Sequence, residues 1–460
     1  MQRRAAKLSL LLSGTTGLLL MLCSPAAAGE PTTATAGKAR SFSLDDVAPV
    51  FTGPASTAFR EKRHAEAARL FEAFLEEHGD DPRAPRARLL AGLARARSGD
   101  GKAAAALLEG LHARLPRTLA PYARILAAEQ LLPDTPEKAL AELSGLPAGT
   151  PLQRKAELLR AQALEAAGKR EQAVALLDEL IRSGKAGASE LKLAARLARD
   201  GDRDEQAEQL ERKLWIEHPL SEAARGLSEP SRLTADERIR RGQAFYERDR
   251  HALALEELER VLVPSTAKAG RCQARFLRGH THFKSRRYAP AVDELQHYFD
   301  EGCPAAGDEV QKARALYYAG RSAARSGRSA LAVGFFERLA RELPRSNLAD
   351  DALLLASEVL VDQGQPKKAA AALQKIVEHV AHGDMLEEAW FRLAWARYLK
   401  GELKEALKVL TRAATAGVRG TDYYSRGRLL YWRARILGRT GKRDEAIRLY
   451  RQIVRKEPLS

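Results

Sequence analysis

The sequence predicts an all-α, right-handed superhelical solenoid of about eleven helix pairs, on three observations. Its 460 residues are 45% hydrophobic and only 6% aromatic, with alanine, leucine, arginine and glutamate prominent; all four are good helix formers. A turn followed by a helical pattern recurs at positions 62, 99, 134, 168, 202, 249, 286, 327, 364, 401 and 441. The steps between these turns, 34 to 47 residues, are those of stacked helix pairs. The third observation is register. Five residues after each turn stand Ala67, Ala104, Ala139, Ala173, Ala207, Ala254, Ala291, Ala332, Ala369, Ala406 and Ala446.

Two further positions keep the same register. Seven residues before each turn lie Ala55, Gly92, Ala127, Ala161, Ala195, Gly242, Gly279, Gly320, Ser357, Ala394 and Ala434, all small. Nine after come Phe71, Leu108, Leu143, Leu177, Leu258, Leu295, Phe336, Leu373, Leu410 and Tyr450, with Glu211 the exception. Antiparallel helices approach closely only where facing residues are small. The small residues of helix A and helix B are therefore expected to meet, with the large residue filling space against the neighbouring pair. Pro116, Pro151, Pro219, Pro344 and Pro458 cannot continue a helix and end helix B. This succession of small, Gly, Ala, large and Pro resembles the tetratricopeptide repeat. "EEAWFRLAWARYLKGELKEALKVL" is the fullest copy, with Trp390, Leu393, Ala394, Gly401, Ala406 and Leu410 in place. That motif speaks for fold and is nearly silent on function.

From the N-terminus, Arg3, Arg4 and Lys7 precede an apolar run from Leu8 to Leu22, and "SPAAAGE" offers cleavage after Ala28. Residues 1–28 read as a secretory signal, which implies the periplasm. Leu22 before Cys23 argues against a lipid anchor. Residues 29–50 read as a mostly disordered leader, 51–220 as a first solenoid segment and 236–460 as a second. The long step holds "HPLSEAARGLSEPSRLTADE"; its core, 221–235, reads as a hinge, with Thr234 as N-cap of the next helix. No other stretch approaches the ~20 apolar residues of a membrane span.

Losing Arg3, Arg4 and Lys7 takes the net charge from +16 to +13. For an exported protein, peptidoglycan carboxylates and anionic headgroups are the counter-surfaces, and no nucleic-acid partner is expected. Solvated helix faces account for the excess as well. Cys272 and Cys303 are expected to form a disulfide across a helical hairpin, a closure contributing roughly 3–4 kcal/mol; two separate thiols are the alternative.

No cofactor is expected. No Gly-Lys pair is followed by Ser or Thr, and GxSxG, HExxH, CxxC and GxGxxG are absent. His379 and His382 have no convincing third ligand, so no metal and no catalytic residue is assigned. The candidate binding surface is helix A: Arg314, Tyr317, Arg321, Trp395, Tyr398, Arg428, Tyr431 and Arg435. Aromatic rings suit sugar faces and arginine forks suit carboxylates, although ordinary packing between repeats explains such residues too.

Residues 421–460 carry Tyr424, Arg426, Tyr431-Trp432, Ala434-Arg435, Gly441, Glu445-Ala446, Tyr450 and Pro458-Leu459-Ser460. This succession resembles the last scaffold helices of soluble lytic transglycosylases, in which an exported superhelix precedes a lysozyme-like domain. The resemblance implies a scaffold that positions peptidoglycan glycan strands beside a separate or missing catalytic domain. The family's catalytic Glu-Ser pair has no counterpart here, and the one methionine after the leader, Met385, lies in "HGDMLEE". A truncated or split gene is implied as much as a free-standing scaffold, and no glycosidic cleavage is expected from this chain alone. The alternative is an independent periplasmic adaptor that binds envelope proteins.

Overall fold

The computed structural model describes residues 53–146, 152–304, 308–379, 383–420 and 427–456. The signal sequence, Cys23, the leader, Pro151, His382, Tyr424, Arg426 and Pro458 lie outside them, as does the His379 side chain. The described residues form an all-α solenoid of helix pairs and contain no strand. The first three turns separate α1 (Pro54–Arg60) from α2 (His64–Glu77), α3 (Ala84–Arg97) from α4 (Gly101–Leu108) and α5 (Ala120–Leu131) from α6 (Pro136–Ser144). Next come α7 (Gln153–Ala166) with α8 (Arg170–Arg182), α9 (Ala188–Arg199) with α10 (Asp204–Glu217), and α11 (Ala235–Glu247) with α12 (His251–Glu259). Then follow α13 (Lys268–Lys284) with α14 (Tyr288–Asp300), α15 (Glu309–Arg325) with α16 (Ser329–Glu342), and α17 (Ala349–Asp362) with α18 (Pro366–His379). The last are α19 (Leu386–Leu399) with α20 (Leu403–Thr415) and α21 (Arg428–Arg439) with α22 (Arg443–Lys456).

The turns share a backbone reason. Ten of the eleven turn residues have positive φ, from 55° at Asp202 to 87° at Gly441, with Asp134 the exception. A left-handed residue reverses the chain between antiparallel helices, which glycine does without strain. Lys62, Asp202, Asp249 and Arg286 adopt it as non-glycines.

The first compact unit takes the described residues up to Leu131, with Ala141–Ala156. Its core includes Phe71, Leu89, Leu90 and Leu108, each at most 2% exposed. The Asp100 carboxylate caps α4 by accepting the Ala103 N–H at 3.2 Å. Glu142 is 6% exposed and accepts the Gly110 N–H at 2.8 Å, while Arg124 donates to the Glu142 carbonyl oxygen at 2.9 Å.

The second unit takes Leu132–Leu140 and Glu157 onward. Here each helix B packs against the helix A that follows it, as α14 does on α15, α16 on α17 and α20 on α21. Beside the packing between pairs that the sequence leads one to expect, the large residue makes a contact within its own pair. A Cβ added at Gly242 would lie 2.9 Å from Leu258, at Gly279 2.6 Å from Leu295, and at Gly320 2.5 Å from Phe336. The large residue nine after the turn thus seats on the small residue of its own helix A, and Leu295 and Phe336 also share a core with the helix A that follows. The alanine five after the turn is buried throughout, at most 4% exposed. Where Glu211 replaces the large residue it pairs with Arg199 at 2.9 Å, and Leu210 and Leu214 join the core instead.

The segment read as a hinge is fastened within this unit. Thr234 accepts the Glu237 N–H at 3.2 Å, and Glu237 accepts the Thr234 N–H at 2.8 Å, a capping box. Arg212 of α10 donates to the Ser231 and Arg232 carbonyls at 3.1 and 3.2 Å and pairs with Glu237 at 2.6 Å. That guanidinium holds the Glu237 carboxyl down to about 2. Cys272 and Cys303 are bonded across α13 and α14, with Cα atoms 5.7 Å apart, inside a core with Phe276, Leu295, Tyr298 and Leu316.

Candidate functional site

The A helices of neighbouring pairs lie side by side in the second unit: α11 beside α13, α13 beside α15, α15 beside α17, and α19 beside α21. A ring three residues before one turn therefore meets a ring nine before the next. Phe283 lies 5.0 Å from Tyr318 and Tyr398 lies 5.2 Å from Trp432, centroid to centroid. Two clusters of rings and arginines follow from this rule. At the corresponding places on the intervening α17 stand Leu355 and Val361, neither a ring.

The first cluster centres on α13 and α15. His280 stacks on Tyr318 at 4.2 Å and lies 3.4 Å by Nδ1 from the Tyr246 hydroxyl. Burial, with Arg314 and Lys284 nearby, pushes the His280 pKa down to about 4. Arg321 lies over the Phe283 ring at 5.1 Å and over Tyr317 at 5.3 Å, and burial raises the Tyr317 pKa. Arg325 donates to the Tyr288 hydroxyl at 2.8 Å. Arg314 is exposed, beside Tyr317, in a groove of about 850 Å³ that also takes in Arg345 and Asn347.

The second cluster joins α19, α21 and α22. Trp395 stacks on Tyr398 at 5.3 Å and meets Trp432 edge-on at 4.6 Å. Tyr431 touches Trp432 at 5.6 Å and Tyr450 at 6.0 Å, and remains 40% exposed. Arg435 donates to the Tyr431 hydroxyl at 3.3 Å, and Arg439 donates to the Tyr398 hydroxyl. The Arg435 guanidinium, and Arg439 with it, draws the Tyr398 pKa below its ordinary value.

Trp395, Tyr398, Tyr431 and Arg435 are thus brought together, while Arg314, Tyr317 and Arg321 form a group of their own. Arg428 is engaged elsewhere: it pairs with Glu387 and Glu388 and lies 4.2 Å over the Phe391 ring. Glu387 is only 5% exposed, so Arg428 acts as the counter-charge of a buried carboxylate between α19 and α21. The sequence reading passed over Tyr246, His280, Phe283, Tyr318, Phe391, Trp432 and Arg439. Comparing positions three and nine before successive turns finds four of the rings.

Among the described residues, two groups of potential metal ligands are gathered closely. Cys272, Glu301 and Cys303 form one, and its cysteines are in the disulfide; Asp350, Asp351 and Asp384 form the other, within 4.8 Å of one another. In the second, Asp350 already accepts the Met385 N–H at 3.2 Å.

Residues 306–458 match the family described as tetratricopeptide repeat-like domain, and residues 55–116 match the tetratricopeptide repeat. The described residues thus form a solenoid of tetratricopeptide-like helix pairs, a kind of fold that typically serves as a protein-binding scaffold. No curated protein matches the chain. Among solved structures, the APC/C hetero-tetramer Cut9-Hcn1 is 17% identical over 87% of this chain and 85% of that one, TM-score 0.25. Naa15/Naa10 bound to HypK-THB is 15% identical over 87% and 58%, TM-score 0.33. The C-terminal part of a TPR repeat-containing protein from Cytophaga hutchinsonii is 16% identical over 55% and 95%, TM-score 0.29. Among the described residues no helix is long and apolar enough to cross a membrane.

Proposed function

We propose that the chain is an exported tetratricopeptide scaffold whose helix-A face holds an acidic segment of an envelope protein. The observation that carries this is the pair Arg435 and Arg439. They stand four apart on α21, where like charges repel, and their hydrogen-bond partners are phenol oxygens. Beneath them Trp395 stacks on Tyr398 with Trp432 edge-on to both, Arg435 lying over Trp432 and Arg439 over Tyr398. Two guanidinium forks over a rigid aromatic base suit carboxylates on a partner. Export is supported by the signal-like N-terminus and by the Cys272–Cys303 bond, which suits an oxidising compartment.

A second reading is the peptidoglycan-positioning part of a lytic transglycosylase system. It is favoured by Tyr431, whose exposed ring offers a face to sugar beside Arg435. Purified residues 29–460 would be titrated with a glutamate-rich peptide and pulled down on peptidoglycan sacculi, both across a salt series. Salt-sensitive peptide binding, lost in Arg435→Glu/Arg439→Glu, supports the adaptor. Retention on sacculi with the same loss supports the glycan reading. Binding to neither at low salt refutes both.

A further inference from the structure

Helix α22 carries Ile447, Tyr450 and Val454 at spacings of three and four, one stripe along the helix. They are the sixth, ninth and thirteenth residues after Gly441. In the pair α13 and α14 the same positions are Val292, Leu295 and Phe299, packed into one core with Ala315 and Leu316 of α15. In the pair α19 and α20, Leu407 and Leu410 share a core with Leu429 and Ile436 of α21. The element that covers this stripe is therefore a helix laid against helix B.

On α22 the stripe is open. Ile447 is 46% and Val454 70% exposed. With Tyr450, Arg451 and Arg455 they line a shallow cavity of about 310 Å³. The helix's own ion pair lies at its other end, Lys442 to Glu445 at 3.4 Å, so Arg451 and Arg455 flank the stripe without a carboxylate among the described residues. We propose that this face docks an amphipathic helix of a partner protein, one with an apolar stripe and acidic flanks. Repeat geometry supplies the helix and the two arginines supply the acidic flanks. A second copy of α22 would set Arg451 and Arg455 against their own counterparts, which like-charge repulsion opposes. This surface adjoins the helix-A face through the Tyr431–Tyr450 ring contact, but the inference does not rest on the function proposed above.

The test titrates the full chain with two synthetic peptides of ~20 residues, long enough to hold a helix. Both carry the same leucine stripe, one flanked by glutamate and one by lysine. Fluorescence anisotropy is expected to show binding of the glutamate peptide, at least about tenfold tighter than the lysine peptide. Val454→Glu is expected to abolish it. Arg451→Glu/Arg455→Glu is expected to reverse the preference, a gain that a misfolded variant cannot give. Equal binding of the two peptides, or binding indifferent to Val454→Glu, overturns the proposal. So does a concentration-dependent dimer in sedimentation that Val454→Glu dissolves, which would make the occupant a second copy.

Discussion

Gly320→Ala is expected to destabilise the second unit, although alanine is the better helix former. Gly320 lies within α15, and the new Cβ would fall 2.5, 2.7 and 2.9 Å from three carbons of the Phe336 ring. Carbon atoms pack best at about 3.5–4 Å, so the overlap is about 1 Å. Phe336 is 1% exposed and cannot swing aside. Overpacking of this kind costs about 1–3 kcal/mol, against a helix-propensity gain of about 1 kcal/mol. The net expectation is a loss of up to about 2 kcal/mol. Gly334, on α16, has no heavy atom within 4 Å of the same added carbon, so Gly334→Ala should stabilise by about 0.5–1 kcal/mol. Urea unfolding followed by tryptophan fluorescence reads this unit selectively, because Trp215, Trp390, Trp395 and Trp432 all lie in it. Adding Phe336→Leu to Gly320→Ala should recover part of the loss, since Ala161 with Leu177 and Ala394 with Leu410 are the same combination. If Gly320→Ala stabilises as much as Gly334→Ala, or the two substitutions show no coupling, the packing argument is wrong.

Three more outcomes are expected. Cys272→Ala/Cys303→Ala should lower stability by about 3–4 kcal/mol, and reductant should shift the urea midpoint of the parent but not of the variant. Burial and neighbouring arginines hold both His280 and His282 down to about 4. The folded state thus disfavours protonation of both, and their contribution is complete above about 6.5 and lost as pH falls towards 4, on the order of 1.4 kcal/mol per pKa unit. His280→Phe should flatten that part of the stability-against-pH curve; an unchanged slope would show that His280 does not titrate there. Arg428→Ala should cost about 3 kcal/mol by removing the guanidinium that faces the buried Glu387 carboxylate, and Arg428→Ala/Glu387→Gln should recover much of it in the same unfolding assay.

What the sequence determined by itself is local. A helical hairpin closes within some thirty-five residues, and its turn, its small residue and its large residue recur in register. The Thr234 cap was legible for the same reason, since Glu237 answers it three residues on. Tertiary structure decided what crosses from one pair to the next. That Leu295 and Phe336 seat on the glycine of their own pair and also share a core with the next one depends on how each helix is rotated in its hairpin, which the alanine-rich pattern leaves open. Arg428 looked like a ligand residue because its partner Glu387 lies forty-one positions away. Tyr398 and Trp432 likewise meet only because consecutive A helices lie side by side. Residue types recur with the period of the repeat, but partners across repeats depend on rotation and spacing, which only the packed structure specifies.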